Sequence, residues 1–387
     1  MSTIKIDELS PILASWRHDL HQYPEFGFEE KRTSAFVANE LSGFGLEVAQ
    51  GIGVTGVIGT LKKGTSKRVI ALRADIDALR IQEQGQLAHR SLNKGLMHAC
   101  GQDGHTSMLL GAAKWLALNG NFDGTIRFIF QPAEEWGKGA LAMLNDGLLE
   151  RFPFDEIYGI HNWPGLPIGH FATTTGALMA AEDNFEITLN GVGGHASRPH
   201  AGREVLVAAS SLVLDLQTIV SRRVNPSDTA VVSATELITD GTRNALPGKA
   251  IIKGDVRSFS PSISQIIETE MRRITSGTAI AYDCDIDVVY SREFIPLLNE
   301  AQSTATALSA AEKVFAKEAI NKNFERVTVS EDFAQFLKFV PGNFSLIGNG
   351  EKSWSLHNPN YDFNDEALIY GTKYFVELIQ TRLASIQ

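Results

Sequence analysis

Five short stretches of this sequence concentrate side chains able to hold a cation or move a proton. Asp75 and Asp77 follow the apolar run 68–72 (RVIAL), Glu134 and Glu135 follow 125–130 (TIRFIF) across Gln131-Pro132, and His161 directly follows 156–160 (EIYGI). Between the first two runs lies His98-Ala99-Cys100-Gly101-Gln102-Asp103-Gly104-His105, and much later His357 sits in Leu356-His357-Asn358-Pro359. Thiolate, imidazole and carboxylate are the groups that bind zinc and its neighbours, and a carboxylate left outside that shell is what metal-assisted hydrolysis needs as general base. Glu134 and Glu135 can divide those tasks, one binding the ion while the other takes a proton from water, when neighbouring charges hold their proton affinities apart. Singly, each residue has a plainer reading. The acidic pair fits a solvated loop, Cys100 a small buried apolar group, the histidines satisfied core or loop positions, and Asp75 a partner for Arg73. Together they fit a site better, because ligands of open α/β sheets bind beyond the carboxyl ends of strands, and three strand ends deliver these groups to one edge.

The elements that must position them alternate along the chain. Ser10 stands where a helix cap belongs, with Pro11 at the first helical position and Ile12, Leu13, Trp16 and Leu20 at helical spacing. A second helix is expected over roughly 29–42, ending at Gly43. The apolar strands 68–72, 125–130 and 156–160, with helices 104–118 and 138–146 among them, predict a mainly parallel sheet with helices on both faces. From about 183 the order becomes strand, helix (202–220), strand, strand, helix (262–276), strand. That is a ferredoxin-like βαββαβ unit of about 110 residues, read as an inserted satellite domain. The expected organisation is a catalytic domain over 1–181, the satellite over 182–294, and the catalytic domain's second part over 295–387, closing with an amphipathic helix near 366–383. Gly51, Gly53 and Gly56 match the spacing of a dinucleotide loop, but a strand-like run comes next where a helix is required, so they are read as a hairpin turn.

Length and composition bound the partners. The chain has 387 residues, 43% apolar and 21% charged, with 34 Gly and 13 Pro, which excludes a disordered or fibrous chain. A balance of 35 basic to 45 acidic residues gives a formal charge of -10, against a broad footprint for nucleic acid or anionic lipid. Small molecules are the expected partners. Cys100 and Cys284 make no disulfide framework, the N-terminus lacks a signal-peptide pattern, and the apolar stretches 108–118 and 205–216 read as too short to span a bilayer, so a cytoplasmic location is expected.

At these residues the sequence resembles the metal-dependent aminoacylase and carboxypeptidase-G-like peptidases. It is most similar to their amidohydrolase branch of hippurate hydrolases, N-acyl-amino-acid deacylases and auxin-conjugate hydrolases. The matching stretches are RHDLHQYPEFGFEE (17–30), ALRADIDAL (71–79), MHACGQDGH (97–105), FQPAEEWGKGA (130–140), GIHNWPGLPIG (159–169), GGHASRPH (193–200), NALPGKA (244–250), SEDF (330–333) and LHNPNYDFND (356–365). The resemblance implies two divalent metal ions per subunit, zinc or manganese first and cobalt or nickel as alternatives, and a satellite that forms homodimers and closes over the substrate. It implies Cys100, Glu135, His161 and His357 as metal ligands, with Cys100 shared between ions, and Glu134 as general base and later proton donor. Asp75 would orient the ligands from behind. His195 would reach a partner subunit's site and polarise the scissile carbonyl, and Asn244 and Arg257 would lie near the substrate, the guanidinium suiting a carboxylate.

One position departs from the pattern. Where the family has a ligand histidine, this chain has Gln102, whose neutral amide oxygen is a poorer donor for zinc-like ions. His105, three positions on, is expected behind the ligands rather than among them. The expected activity is a dinuclear-metal amidohydrolase cleaving N-acyl amino acids with metal-activated water and Glu134 as base, weakened or abolished by Gln102. The rival readings are a metal-dependent dipeptidase or exopeptidase and a non-catalytic, ligand-binding dimer.

Overall fold

The computed structural model describes residues 4–384. The chain resolves into two compact units, one of Met1–Leu178, Leu298–Glu325 and Asp332–Gln387, the other of Met179–Leu297 with Arg326–Glu331.

The larger unit is built on an eight-stranded sheet. Its order is Glu47–Ile52, Gly56–Lys63, Gly124–Gln131, Val69–Asp75, Glu156–Trp163, Gly342–Gly348, Phe171–Ala172 and Ile320–Asn321. The central strands Gly124–Gln131, Val69–Asp75, Glu156–Trp163 and Gly342–Gly348 run parallel, and antiparallel pairing is confined to the flanks. The parallel strands are buried almost end to end, as their continuous apolar runs require. The glycines at 51, 53 and 56 form the hairpin between the first two strands, with φ of 77° at Gly51 and 61° at Gly53.

Helix Gln102–Asn119 is buried from Gln102 through Ala113, and it packs against the helices Ser10–Gln22 and Asp365–Arg382 in one core with Leu13, Leu109, Leu116, Tyr374 and Leu378. Its middle, Met108–Ala113, is uninterruptedly apolar, as a helix surrounded by core requires. Two boundaries differ from expectation. Ser10 is not the cap but the first helical residue, its hydroxyl donating back to the Asp7 carbonyl, because a 3-10 turn over Ile6–Leu9 already leads into the helix. The second helix starts at Lys31 rather than 29, because Phe28 takes a left-handed φ of 64° and Glu30 turns inward.

Charged residues of the first helix tie the ends of the chain together. The fully buried Arg17 guanidinium donates from Nε to Asp365 at 2.5 Å and from Nη1 to Asp362 at 2.9 Å and Asp103 at 3.4 Å. One turn on, His21 Nδ1 lies 2.8 Å from Asp103 and Nε2 lies 3.5 Å from Glu83. Burial alone would lower the His21 pKa, but hydrogen bonds to Asp103 and Glu83 outweigh it and hold it up to about 9. A folded pKa above the ordinary 6.5 means that the pair's contribution is complete below about pH 6.5 and is lost as pH rises through about 9. The stability gap between the natural chain and a His21→Gln variant should therefore shrink between about pH 6.5 and 9.5, by on the order of 2–3 kcal/mol. Urea midpoints across that range measure it, and a flat gap would refute the paired imidazolium.

The smaller unit is an antiparallel sheet ordered Ala230–Thr239, Lys249–Ser258, Ala181–Asn190, Asp285–Phe294, with helices Val205–Arg223 and Pro261–Tyr282. Numbered along the chain, that strand order is 2-3-1-4, the ferredoxin-like arrangement. Burial alternates residue by residue along Ala181–Asn190, so Phe185, Ile187 and Leu189 enter a core with Ala208, Leu212, Leu216 and Ile219. Helix Val205–Arg223 runs beyond the apolar stretch 205–216, because Leu216 and Ile219 extend its buried stripe. Its 19 residues pass a length-and-composition test for crossing a membrane, but its apolar stripe is engaged in this core.

Candidate metal centre

Four backbone segments bring the donor groups together in the larger unit. Cys100 ends the loop before helix Gln102–Asn119, and Gly101 between them has φ 106°. A side chain at 101 would meet the Asn162 amide nitrogen at 2.2 Å, so glycine is required there both by conformation and by space. His161 lies within strand Glu156–Trp163 rather than beyond it, because pairing with Gly342–Gly348, His161 opposite Leu346, carries the strand further than its apolar run. Glu134 and Glu135 occupy a single 3-10 turn after strand Gly124–Gln131. His357 has φ 65°, its amide donating to the Ala99 carbonyl at 2.8 Å.

The donor atoms of Cys100, Glu135 and His357 all lie within 4.8 Å of one another. Cys100 Sγ is 3.4 Å from His161 Nε2, and Gln102 Nε2 donates to Glu135 Oε1 at 2.7 Å. Cys100, Glu135 and His357 thus form one group, Gln102 touches it through Glu135, and His161, grouped with Asp75 and His105, adjoins it through Cys100. The fully buried Gln102 turns its amide nitrogen to a carboxylate, leaving its buried Oε1 without a hydrogen-bond partner. His161 Nδ1 faces the Asn162 carbonyl at 2.6 Å and must donate to it, which leaves Nε2 as a lone pair facing Cys100. Burial holds the His161 pKa down to about 3, so the ring is neutral, as a ligand must be.

Behind the donors lies a buried network. His105 Nδ1 meets Asp75 Oδ1 at 2.7 Å while its Nε2 accepts from Asn162 N at 3.1 Å. Both ring nitrogens are engaged, so His105 does not replace the donor missing at 102. Burial opposes charge on Asp75, yet Arg73 and His105 hold its pKa well below the carboxylate range. Arg73, fully buried, donates to Asp75 at 3.1 Å, Gln131 at 2.8 Å and Asp332 at 3.3 Å. Asp332 in turn donates its backbone N–H to Glu134 Oε1 at 3.4 Å, and Tyr361 donates to Asn162 Oδ1 at 2.6 Å. Sequence reasoning assigns no site role to Arg73, Asn162, Asp332 or Tyr361. All four lie inside the matched motifs, the only sequence signal for them.

The donor set fits divalent cations. Burial and the carboxylates of Glu135, Glu134 and Asp75 push the Cys100 thiol well above its usual range, and burial with Glu135 and Glu30 does the same to Asp77. Acids and a thiol crowded in this way keep protons unless a cation takes their place. Thiolate, imidazole and carboxylate together suit zinc, manganese and similar ions.

The remaining expected residues lie in the smaller unit. His195, exposed, pairs with Ala245 in a short ladder, and its Nδ1 accepts from Ser197 Oγ at 2.8 Å. Asn244 accepts from Thr242 Oγ1 at 3.3 Å. Arg257 is already shared between Glu182 at 2.8 Å and Asp255 at 3.0 Å.

Comparison with known proteins places these observations. Residues 71–381 match the description of Peptidase family M20/M25/M40. The chain is 40% identical over 362 residues to the hippurate hydrolase of Campylobacter jejuni, covering 94% of each. It is 36% identical over 384 residues to the N-acetyl-L-cysteine deacetylase of Bacillus subtilis, covering 99% of this chain and 91% of the relative. Among solved structures it is similar to the Bacillus subtilis YXEP protein, described as a dinuclear metal binding peptidase, with a TM-score of 0.86 and 33% identity over 98% of this chain and 100% of that one.

Proposed function

The chain belongs to peptidase family M20/M25/M40, metal-dependent hydrolases of amide bonds, and on that premise we propose that it deacylates N-acyl amino acids at a two-ion centre. The observation that carries this reading is the cluster itself, with Cys100, Glu135 and His357 donors within 4.8 Å and His161 3.4 Å from Cys100. Cys100, Glu135, His161 and His357 would hold the ions, with Gln102 at the remaining position. Divalent ions there supply Lewis acidity for the amide carbonyl and for water.

The chain's own groups do the rest. Glu134 is buried beside the ligands, with one oxygen held by the Asp332 N–H. It takes a proton from the water whose oxygen bonds to the carbonyl carbon, and returns it to the amine nitrogen as the C–N bond breaks. His161 stays neutral, and Asp75 fixes His105, which fixes Asn162 next to it. By the resemblance, His195 would reach a partner subunit's site and stabilise the oxyanion there, and Asn244 and Arg257 would lie near the substrate.

The named substrates of two similar proteins, hippurate and N-acetyl-L-cysteine, are both N-acyl amino acids, which favours that class over dipeptides. A homodimer through the smaller unit belongs to the same reading, supported by exposed Leu237 and Ile238 on its edge strand and exposed Leu206, Val207 and Leu214 on helix Val205–Arg223. A cytoplasmic setting suits it as well, since Cys100 must remain a free thiol to bind metal. The test is a panel of N-acetyl amino acids, N-benzoyl amino acids and dipeptides, each with zinc, manganese and cobalt. The expected result is higher kcat/KM for the acylated substrates. A preference for dipeptides would replace the deacylase with an exopeptidase, and a monomer on sedimentation of the same preparation would remove the dimer.

A further inference from the structure

The segment 25–30 is not used by the chemistry above, yet it encloses the turn that carries Glu134 and Glu135. Ala133, immediately before them, has φ 47° and ψ 42°, a left-handed conformation that an L side chain avoids. Such a residue persists only where its surroundings over-determine it. Here its N–H donates to Glu30 Oε1 at 2.9 Å, and its carbonyl accepts from Gly139 N at 3.1 Å. Glu30 is fully buried, and its second oxygen accepts from Thr55 Oγ1 at 2.6 Å. Gly27 packs so closely that a Cβ there would stand 3.0 Å from Ala133. Farther round the turn, Glu135 N donates to Asp77 Oδ2 at 3.1 Å, and the Trp136 ring sits 4.6 Å from that of Phe26.

We propose that Glu30 is a positioning residue for the reaction: its buried carboxylate holds Ala133 left-handed, and that backbone state aims Glu134 and Glu135 at the site. The assignment rests on the roles given to those two residues above. A right-handed Ala133 would rotate the chain at the residue immediately before Glu134 and Glu135, and misplacement of reacting groups by about 1 Å costs on the order of 10²-fold in rate. Glu30 would act through this turn and touch no substrate.

Replacing Ala133 by glycine separates positioning from bulk stability, because glycine adopts the left-handed state without steric penalty. Glu30→Ala should lower kcat by about 10²-fold with little change in KM, and weaken zinc affinity, read by competition with a chromophoric chelator, through displacement of Glu135. Glu30→Ala/Ala133→Gly should recover at least about tenfold of the kcat loss and part of the zinc affinity. A merely structural Glu30 would leave the same cavity and unpaired N–H in the double variant, and no recovery. Ala133→Val keeps Glu30 but disfavours the left-handed state, so it should reproduce both losses, and it carries the test if Glu30→Ala does not fold. Unchanged kcat and zinc affinity in folded Glu30→Ala or in Ala133→Val, or a double variant no better than the single, overturns the assignment. If the natural chain hydrolyses no acylated substrate yet binds zinc, the functional reading falls while zinc affinity still decides this one; if it binds no zinc, both fall.

Discussion

Glu134→Gln, introduced into a chain that also carries Gln102→His, is expected to lower kcat by about 10²–10⁴-fold while the metal content stays unchanged. The amide is nearly isosteric with the carboxylate and can still approach the Asp332 N–H that holds Glu134 Oε1 at 3.4 Å, so the turn keeps its shape. What it loses is the capacity to accept a proton from water and pass it to the amine. Glu135, the neighbour, cannot take over, because it lies among the donors, 3.3 Å from His357 and grouped with Cys100. Metal analysis and turnover on the same preparation are the measurement. Hydrolysis retained to within a few-fold would remove Glu134 from its role, and lost metal would reassign it as a ligand.

Gln102→His alone is expected to raise the second ion's affinity by more than the roughly 10–100-fold that changes behind a metal ligand typically cause, and to raise kcat with it. In the natural chain the Gln102 amide nitrogen points to Glu135 and its oxygen is an unpartnered, neutral donor. An imidazole at the start of helix Gln102–Asn119 would offer a stronger donor beside Glu135, which the Gln102 amide touches. Dialysis against zinc or manganese followed by metal analysis should give fewer tightly held ions per chain for the natural form than for the histidine form. Equal ion content and equal turnover would show that the amide serves as well as imidazole. Two ions with no turnover in either form would favour a ligand-binding dimer over an enzyme.

The donors themselves are legible in sequence because each ends an apolar run or fills a short dense motif: Asp75, Glu134, Glu135, His161 and the segment around Cys100 all announce themselves locally. The partners that aim them are not. Glu30 reaches Ala133 across 103 positions, Asp332 reaches Glu134 across 198, and Tyr361 reaches Asn162 across 199. Contacts so distant leave no periodicity in either neighbourhood, and a buried carboxylate such as Glu30 looks in sequence like any acid before a helix. His161 reads as lying just past its strand for a related reason, since its pairing strand, Gly342–Gly348, comes nearly two hundred residues later. The glycine hairpin at 51–56 is readable from the residues after it, because the run 57–61 has the β-branched character of a strand and indeed pairs as one.

The clasp formed by Arg17 sets a limit on when this protein can mature. Its guanidinium joins the first helix to Asp362 and Asp365, and the same late loop carries His357. No N-terminal piece of the chain that stops short of this loop contains His357, and so none contains the whole proposed donor set. On the proposed ligand assignment, a complete two-ion site would exist only once the chain through His357 has been made, and the Arg17 clasp to Asp362 and Asp365 would close behind it.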